Sequence, residues 1–272
     1  MSAVSDDYVL LNGIRFHFRD WASDGAMPLV LLHGYTGHSR SWDTLAKAMA
    51  PKYRVLALDQ RGHGESGWAS DYTPEAMVSD VAAFVGALRL DRFALLGLSM
   101  GGRNAYHYAG SRPAGLERLV IVDIGPDIVA AGSQRIRSGV TVNDVFESPE
   151  HAINAARKGN PSADETELRD RVRQNLMLRE DGAWTFRYDP SLRNPETPLP
   201  RPTSEAGWAA VANINVPTLL VRGALSDVLS VETANRMVQA IPDCSFAEVP
   251  DAGHSIPLDN PAGLIRAVQT FL

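Results

Sequence analysis

Ser99 stands in Gly97-Leu98-Ser99-Met100-Gly101-Gly102, after the apolar run Phe93-Ala94-Leu95-Leu96 and before a segment rich in Ala and Tyr. Strand, Gly-x-Ser-x-Gly, then helix is the order that makes a sharp turn. Such a turn thrusts a hydroxyl out of the chain and aims helix N-terminal amides at whatever that hydroxyl attacks. A serine hydroxyl is a poor nucleophile near neutrality and needs a base within hydrogen-bond reach. In open parallel sheets, groups that meet at a ligand lie just beyond the carboxyl ends of strands. The best placed of the seven histidines is His254, in Asp251-Ala252-Gly253-His254-Ser255 after the strand-like run Phe246-Ala247-Glu248-Val249. The expected acid is Asp227, in Arg222-Gly223-Ala224-Leu225-Ser226-Asp227 after Thr218-Leu219-Leu220-Val221. Asp123, which ends the run Val120-Ile121-Val122, is the alternative acid.

In this arrangement Ser99 attacks a carbonyl, and His254 takes the proton and later returns it to the leaving group. The acid holds the imidazole in one tautomer. The negative charge on the tetrahedral intermediate calls for fixed donors. The Met100 N–H, the first amide after the serine, is one. The Tyr35 N–H, in His33-Gly34-Tyr35 after the run Leu29-Val30-Leu31-Leu32, is the expected second.

Short continuous apolar runs at Leu29–Leu32, Val55–Leu58, Phe93–Leu96, Leu119–Val122 and Thr218–Val221 read as strands covered on both faces. Helical segments separate them, one opening at Thr73-Pro74-Glu75 with proline at the first helical position. This alternation predicts an α/β chain with a mostly parallel, doubly wound sheet. Asn12-Gly13 predicts an antiparallel hairpin ahead of it, with Ile14, Phe16 and Phe18 inward and Arg15, His17 and Arg19 outward. The alternation stops after Asp123. Residues 125–205 read as a mainly helical cap inserted into a core formed by 1–124 and 206–272, with helix starts at Ser148-Pro149-Glu150 and at the capping box Ser162-Ala163-Asp164-Glu165. Asp181–Tyr188 reads as extended. Trp184 and Trp208, with Met177 and Phe186, are candidates to line an apolar substrate pocket. Arg103, which opens the helix after Ser99 beside Asn104, is expected to face solvent or cap; if it reaches the pocket it can grip a carboxylate with both arms of its guanidinium. Asp59-Gln60-Arg61-Gly62-His63-Gly64-Glu65-Ser66 reads as a tight turn braced by Asp59 and Arg61, without a part in catalysis.

Composition narrows the setting. A formal net charge of −6 with no long basic run argues against nucleic acid, and no apolar stretch is long enough for a membrane span. The polar, acidic start from Met1 to Asp7 lacks the order of a secretory signal, so a cytoplasmic protein is expected. Cys244 is the single cysteine and is expected to be a small buried hydrophobe; the histidines lack metal-ligand spacing. No cofactor or metal is expected, and the expected partner is a small-molecule substrate.

With these residues in place, the chain resembles the α/β-hydrolase superfamily from about Tyr8 to Leu272. The motifs that carry the resemblance are Leu32-His33-Gly34, Asp59–Ser66, Gly97–Gly102, Arg222-Gly223 with Asp227, and Gly253-His254. It implies a serine hydrolase that cleaves an ester, thioester or related acyl bond through an acyl-enzyme, without a cofactor. Serine at the elbow argues against dehalogenases and epoxide hydrolases, which place aspartate there. Met100–Asn104 and Asp123-Ile124-Gly125-Pro126 are similar to hydrolases of small carboxylated metabolites. Alternatives within the resemblance are C–C bond or amide hydrolysis of such a metabolite, or a slow-turnover receptor. Some members of the superfamily carry the triad acid at the position of Asp123, but the commoner later position favours Asp227.

Overall fold

The computed structural model describes residues 4–23, 25–140, 144–161, 163–194 and 200–272. Strands β1 (Val4–Leu11) and β2 (Ile14–Trp21) pair antiparallel, and the turn between them places Asn12 and Gly13 at φ 49° and 79°. Two consecutive positive φ values match the turn type that Asn-Gly favours. Next come β3 (Met27–Leu32), α1 (Asp43–Met49), β4 (Tyr53–Leu58), α2 (Pro74–Ala87), β5 (Phe93–Leu98), α3 (Met100–Gly110) and β6 (Leu116–Val122). A long insertion then carries α4 (Ala130–Val140), α5 (Pro149–Gly159), α6 (Glu165–Gln174), β7 (Leu176–Leu178), β8 (Trp184–Phe186) and α7 (Ser204–Ala212). The chain returns to the sheet with β9 (Thr218–Gly223), α8 (Val231–Ala240), β10 (Cys244–Val249), α9 (Ile256–Asp259) and α10 (Pro261–Phe271).

Eight strands form one sheet in the order β1-β2-β4-β3-β5-β6-β9-β10, parallel from β4 onward. Successive residues of a strand face opposite sides. Leu95 accordingly enters one apolar layer with Phe16, Phe84 and Ile121, whereas Leu96 enters the other with Trp42, Val55 and Leu264. Both faces are covered, so the alternation of polar and apolar residues disappears from these strands. Helix α7 packs on α3 so closely that a Cβ on Gly110 would lie 2.5 Å from the Ala210 carbonyl oxygen.

The outer face of β2 differs from the half-exposed ribbon expected of it. His17 and Arg19 are buried, because Asp6, Asp43 and Asp59 close over them and supply carboxylates to both. In the insertion, Ser148 caps α5 as expected by accepting the His151 N–H. Helix α6 is capped by Asp164, which accepts the Glu167 N–H; Ser162, expected to open this helix, lies outside the described residues. The expected extended piece is β8, paired with β7. The cap has its own small core of Phe146, Ile153, Leu168, Val172 and Leu176, continued by Leu258 from α9 of the main body. Further ties run from the Asn175 side-chain amide to the Thr36 carbonyl and from His38 Nε2 to the Arg171 carbonyl, at 2.9 and 3.1 Å.

Candidate active site

Ser99 sits at φ 53° and ψ −117°, a conformation that costs energy for a residue with a side chain. Its neighbours hold it there. The Ser99 N–H donates to the Val122 carbonyl at 3.0 Å, tying the turn to β6. A Cβ on Gly97 would fall 2.3 Å from the Gly101 carbonyl oxygen, and a Cβ on Gly101 would fall 2.3 Å from that of Leu32. The glycines of Gly-x-Ser-x-Gly therefore let α3 press back onto β5 and β3 directly beneath the hydroxyl.

His254 approaches from the loop after β10. Its Nε2 lies 2.9 Å from Ser99 Oγ, and its Nδ1 lies 2.7 Å from Asp123 Oδ2. A carboxylate can only accept, so Nδ1 carries the proton and Nε2 is left with its lone pair toward the hydroxyl. Asp123 is fully buried, with φ 49° at the end of β6, and it also accepts the Gly223 N–H at 2.9 Å and the Ser226 hydroxyl at 2.5 Å. Three donors thus hold one carboxylate at the imidazole.

The expected acid, Asp227, is elsewhere. Its two oxygens accept from Arg135 Nε and Nη2 at 2.7 and 2.8 Å, and its side chain is 42% exposed. That hydrogen-bonded guanidinium holds its carboxyl below the usual range. The physical reason for the correction is that β6 and β9 are parallel neighbours, with Val122 opposite Val221. Both loops end at the same place, and it is Ser226, one residue before Asp227, that turns inward to serve Asp123.

The loop after β3 passes beside Ser99, since a Cβ on Gly34 would stand 3.3 Å from Ser99 Cβ. His33 anchors that loop. Burial pushes its pKa down to about 3, so it stays neutral, and its Nε2 accepts the Gln60 N–H at 3.0 Å while Nδ1–H donates to Gly34 O at 2.8 Å. Gln60 in turn accepts from Asn104 Nδ2 at 2.7 Å, so Asn104 faces the interior scaffold. Asp59 and Arg61 brace the neighbouring turn separately: Asp59 through His17 and the Ser39 and Glu65 amides, Arg61 through Asp80. Met100 is the first residue of α3, where an amide has no acceptor within its own helix. Met100 and Tyr35 both line the cavity at Ser99.

That cavity measures about 810 Å³ including its mouth and has Ser99 in its wall. Ile124, Ile128, Ile136 and Val228 give it apolar sides. The residues singled out from sequence as pocket aromatics are not part of this lining. Trp184 packs against the core of the cap, and the Trp208 indole N–H donates to Asp127 with Arg236 stacked over the ring at 4.1 Å. Each is consumed by local structure. Arg103 does reach the cavity, as do Arg137 of α4 and Arg201. The latter two carried no motif in the sequence; only the fold of the insertion brings them to Ser99. Among the described residues no cluster of His, Cys, Asp or Glu could hold a metal ion, and no helix is long and apolar enough to cross a membrane.

The sequence and the fold have counterparts among known proteins. Residues 29–267 match the model of the alpha/beta hydrolase family. The chain is 31% identical to a 3-hydroxybutyrate-oligomer hydrolase of Cupriavidus necator, with 94% of this chain and 92% of that one covered. It is 29% identical to the N-formylmaleamate deformylase of Pseudomonas putida, with coverage of 99% and 97%. A solved α/β hydrolase from Novosphingobium aromaticivorans superposes with a TM-score of 0.84 at 29% identity over 100% of this chain and 98% of its own. Its sheet order, its serine at the turn between β5 and α3 and these matches agree: the chain belongs to the α/β-hydrolase family of hydrolytic enzymes.

Proposed function

We propose that the protein is a serine hydrolase that cleaves an acyl bond of a small or medium-sized molecule through an acyl-enzyme, with Ser99, His254 and Asp123 as its triad. The observation that carries this reading is the unbroken line from Ser99 Oγ through both nitrogens of His254 to the buried carboxylate of Asp123. His254 Nε2 takes the hydroxyl proton as Oγ bonds to the substrate carbonyl carbon, and the carbonyl oxygen becomes an oxyanion. The Met100 and Tyr35 amides are the donors to that oxyanion. Collapse breaks the bond to the leaving group, which leaves with the proton from His254. Water then repeats the cycle on the acyl-enzyme, its proton passing to His254 and back to Ser99 Oγ as the acid product departs. Asp123 holds the imidazole in this tautomer and stabilises the imidazolium. The cavity at Ser99 has largely apolar walls with a few polar groups, as small-molecule sites do, and relatives named as an oligomer hydrolase and a deformylase fit the same chemistry.

Labelling with a fluorophosphonate and turnover of a 4-nitrophenyl ester test the assignment. Ser99→Ala is expected to abolish both. Asp123→Asn is expected to lower kcat by about 10³- to 10⁴-fold, the scale known for a triad acid, whereas Asp227→Asn stays within a few-fold of wild type. The reverse order of the two Asp variants would overturn the assignment of Asp123.

A further inference from the structure

Helix α3 begins at the nucleophile, and one turn later it sends a second side chain toward the same space. The Arg103 N–H donates to the Ser99 carbonyl at 2.8 Å, and the Arg103 side chain lines the cavity. Among the described residues its guanidinium makes no hydrogen bond and has no carboxylate within ion-pair distance, and its Nε is wholly buried without a partner. Most arginines of the interior are treated differently. Among the described residues Arg19, Arg61, Arg193 and Arg222 each face a carboxylate: Asp6 and Asp43, Asp80, Asp144 and Glu248 respectively; Arg171, also desolvated, lies in the field of Asp259 and Glu167 without an ion pair. A desolvated guanidinium left without an anion is costly, and burial accordingly pulls the Arg103 pKa down, with Arg201 adding to the effect.

Arg201, an exposed residue on the return of the insertion, also lines the cavity. Its Nη1 donates to Ser133 Oγ at 2.8 Å, and among the described residues no carboxylate forms an ion pair with it. Among the described residues the lining holds Arg103 and Arg201 and no Asp or Glu. A protein of negative net charge therefore has these cations in the wall beside Ser99.

Building on the acyl-transfer reading, we propose that the substrate carries a carboxylate remote from its scissile bond and that Arg103 and Arg201 bind it. The planar fork of Arg103 matches the two oxygens of a carboxylate, and the apolar walls take the carbon chain between the carboxylate and the reacting carbonyl. The pair makes Arg103 and Arg201 specificity-determining residues: they select the anion and orient its carbonyl toward Ser99.

The test compares 4-nitrophenyl hydrogen glutarate with its methyl ester, identical except for the charge. Wild type is expected to favour the anion at least 10-fold in kcat/KM. That preference should fall about 10- to 100-fold in Arg103→Met and drop measurably in Arg201→Met, as loss of hydrogen bonds to a charged group implies. Because the readout is a ratio within one variant, a general loss of folding lowers both rates and leaves it unmoved. A wild-type ratio near one, or a ratio unchanged in both variants, overturns the proposal. Calorimetric titration of Ser99→Ala with glutarate and with uncharged glutaramide separates this inference from the reading beneath it. Glutarate binding without glutaramide binding supports the anion site even if wild type neither labels with fluorophosphonate nor turns over. Labelling and turnover without glutarate binding leave the hydrolase reading standing and refute the carboxylate.

Discussion

Gly101 occupies a tight position near Ser99, with the carbonyl oxygens of Leu32 and His33 at 2.3 and 2.6 Å from where a Cβ would be. Both obstacles are backbone at the end of a central strand, which cannot swing aside as a side chain would. Gly101→Ala is therefore expected to cost about 1–3 kcal/mol in urea unfolding and to lower esterase activity further by displacing Ser99. The Arg61–Asp80 pair poses the opposite problem, a buried charge that must keep its partner. Asp80→Ala leaves the guanidinium stranded and is expected to cost about 3–5 kcal/mol by the same assay, while a smaller loss would mean that water reaches Arg61. Residue by residue, legibility followed locality. The Ser99 turn is encoded in six adjacent residues, and His254 announces itself by following a strand. Asp227 carries the stronger local signal, in its motif with Arg222-Gly223, and only the contact between the ends of β6 and β9 favours Asp123. Arg201 has no local signal at all, since its role depends on where an 80-residue-scale excursion returns to the sheet.

Elements were readable where burial on two faces had erased alternation. The runs at β3, β4, β5, β6 and β9 stand where continuous apolar sequence places them. Reading β2 failed on its polar face because the acids that cover His17 and Arg19 come from β1, α1 and the loop after β4, each remote in sequence or on another strand. The cap was legible as an insertion but not in its inner packing, because Trp184 and Phe186 serve the same small core as Phe146. Phe146 is 5% exposed and makes edge contacts with both His151 and Phe186. Phe146→Ala should open a void in this core at a local cost of about 3–5 kcal/mol. Hydrogen exchange is expected to show lost protection in α5 and α6 with little change in β5 or α3; uniform loss would mean that cap and sheet unfold together.

Taken whole, the molecule buries four of its seven histidines, His17, His33, His38 and His63. His33, His38 and His63 are held neutral, with burial lowering their pKa values to about 3, 4 and 4. Unfolded, each would bind a proton near pH 6.5. The unfolded state thus takes up more protons than the native one as pH falls from about 6.5 toward 4, and stability is lost across that window at about 1.4 kcal/mol per pH unit for each histidine. His17 runs the other way. Its pKa is raised, against its burial, by Asp59, so its contribution is greatest at low pH and fades as pH rises through the folded value. The net expectation is a decline in unfolding free energy between pH 7 and pH 5, measured in urea, that becomes shallower by about one proton in His63→Gln. A flat profile over that range would contradict it.

Ser99, Asp123 and His254 stand at the ends of β5, β6 and β10, whereas Arg137 and Arg201 belong to the excursion between β6 and β9. The proposed relay and Arg103 thus belong to the sheet and α3, while part of the cavity wall, Arg201 included, belongs to the excursion, whose border falls immediately after Asp123. A transplanted cap that begins at Ile124 and ends before Val216 would exchange that part of the wall and leave Ser99, Asp123, His254 and Arg103 in place; one cut a single residue earlier would remove Asp123. Divergence in such a lineage can proceed by replacing the middle of the gene, with the chemistry inherited intact on either side.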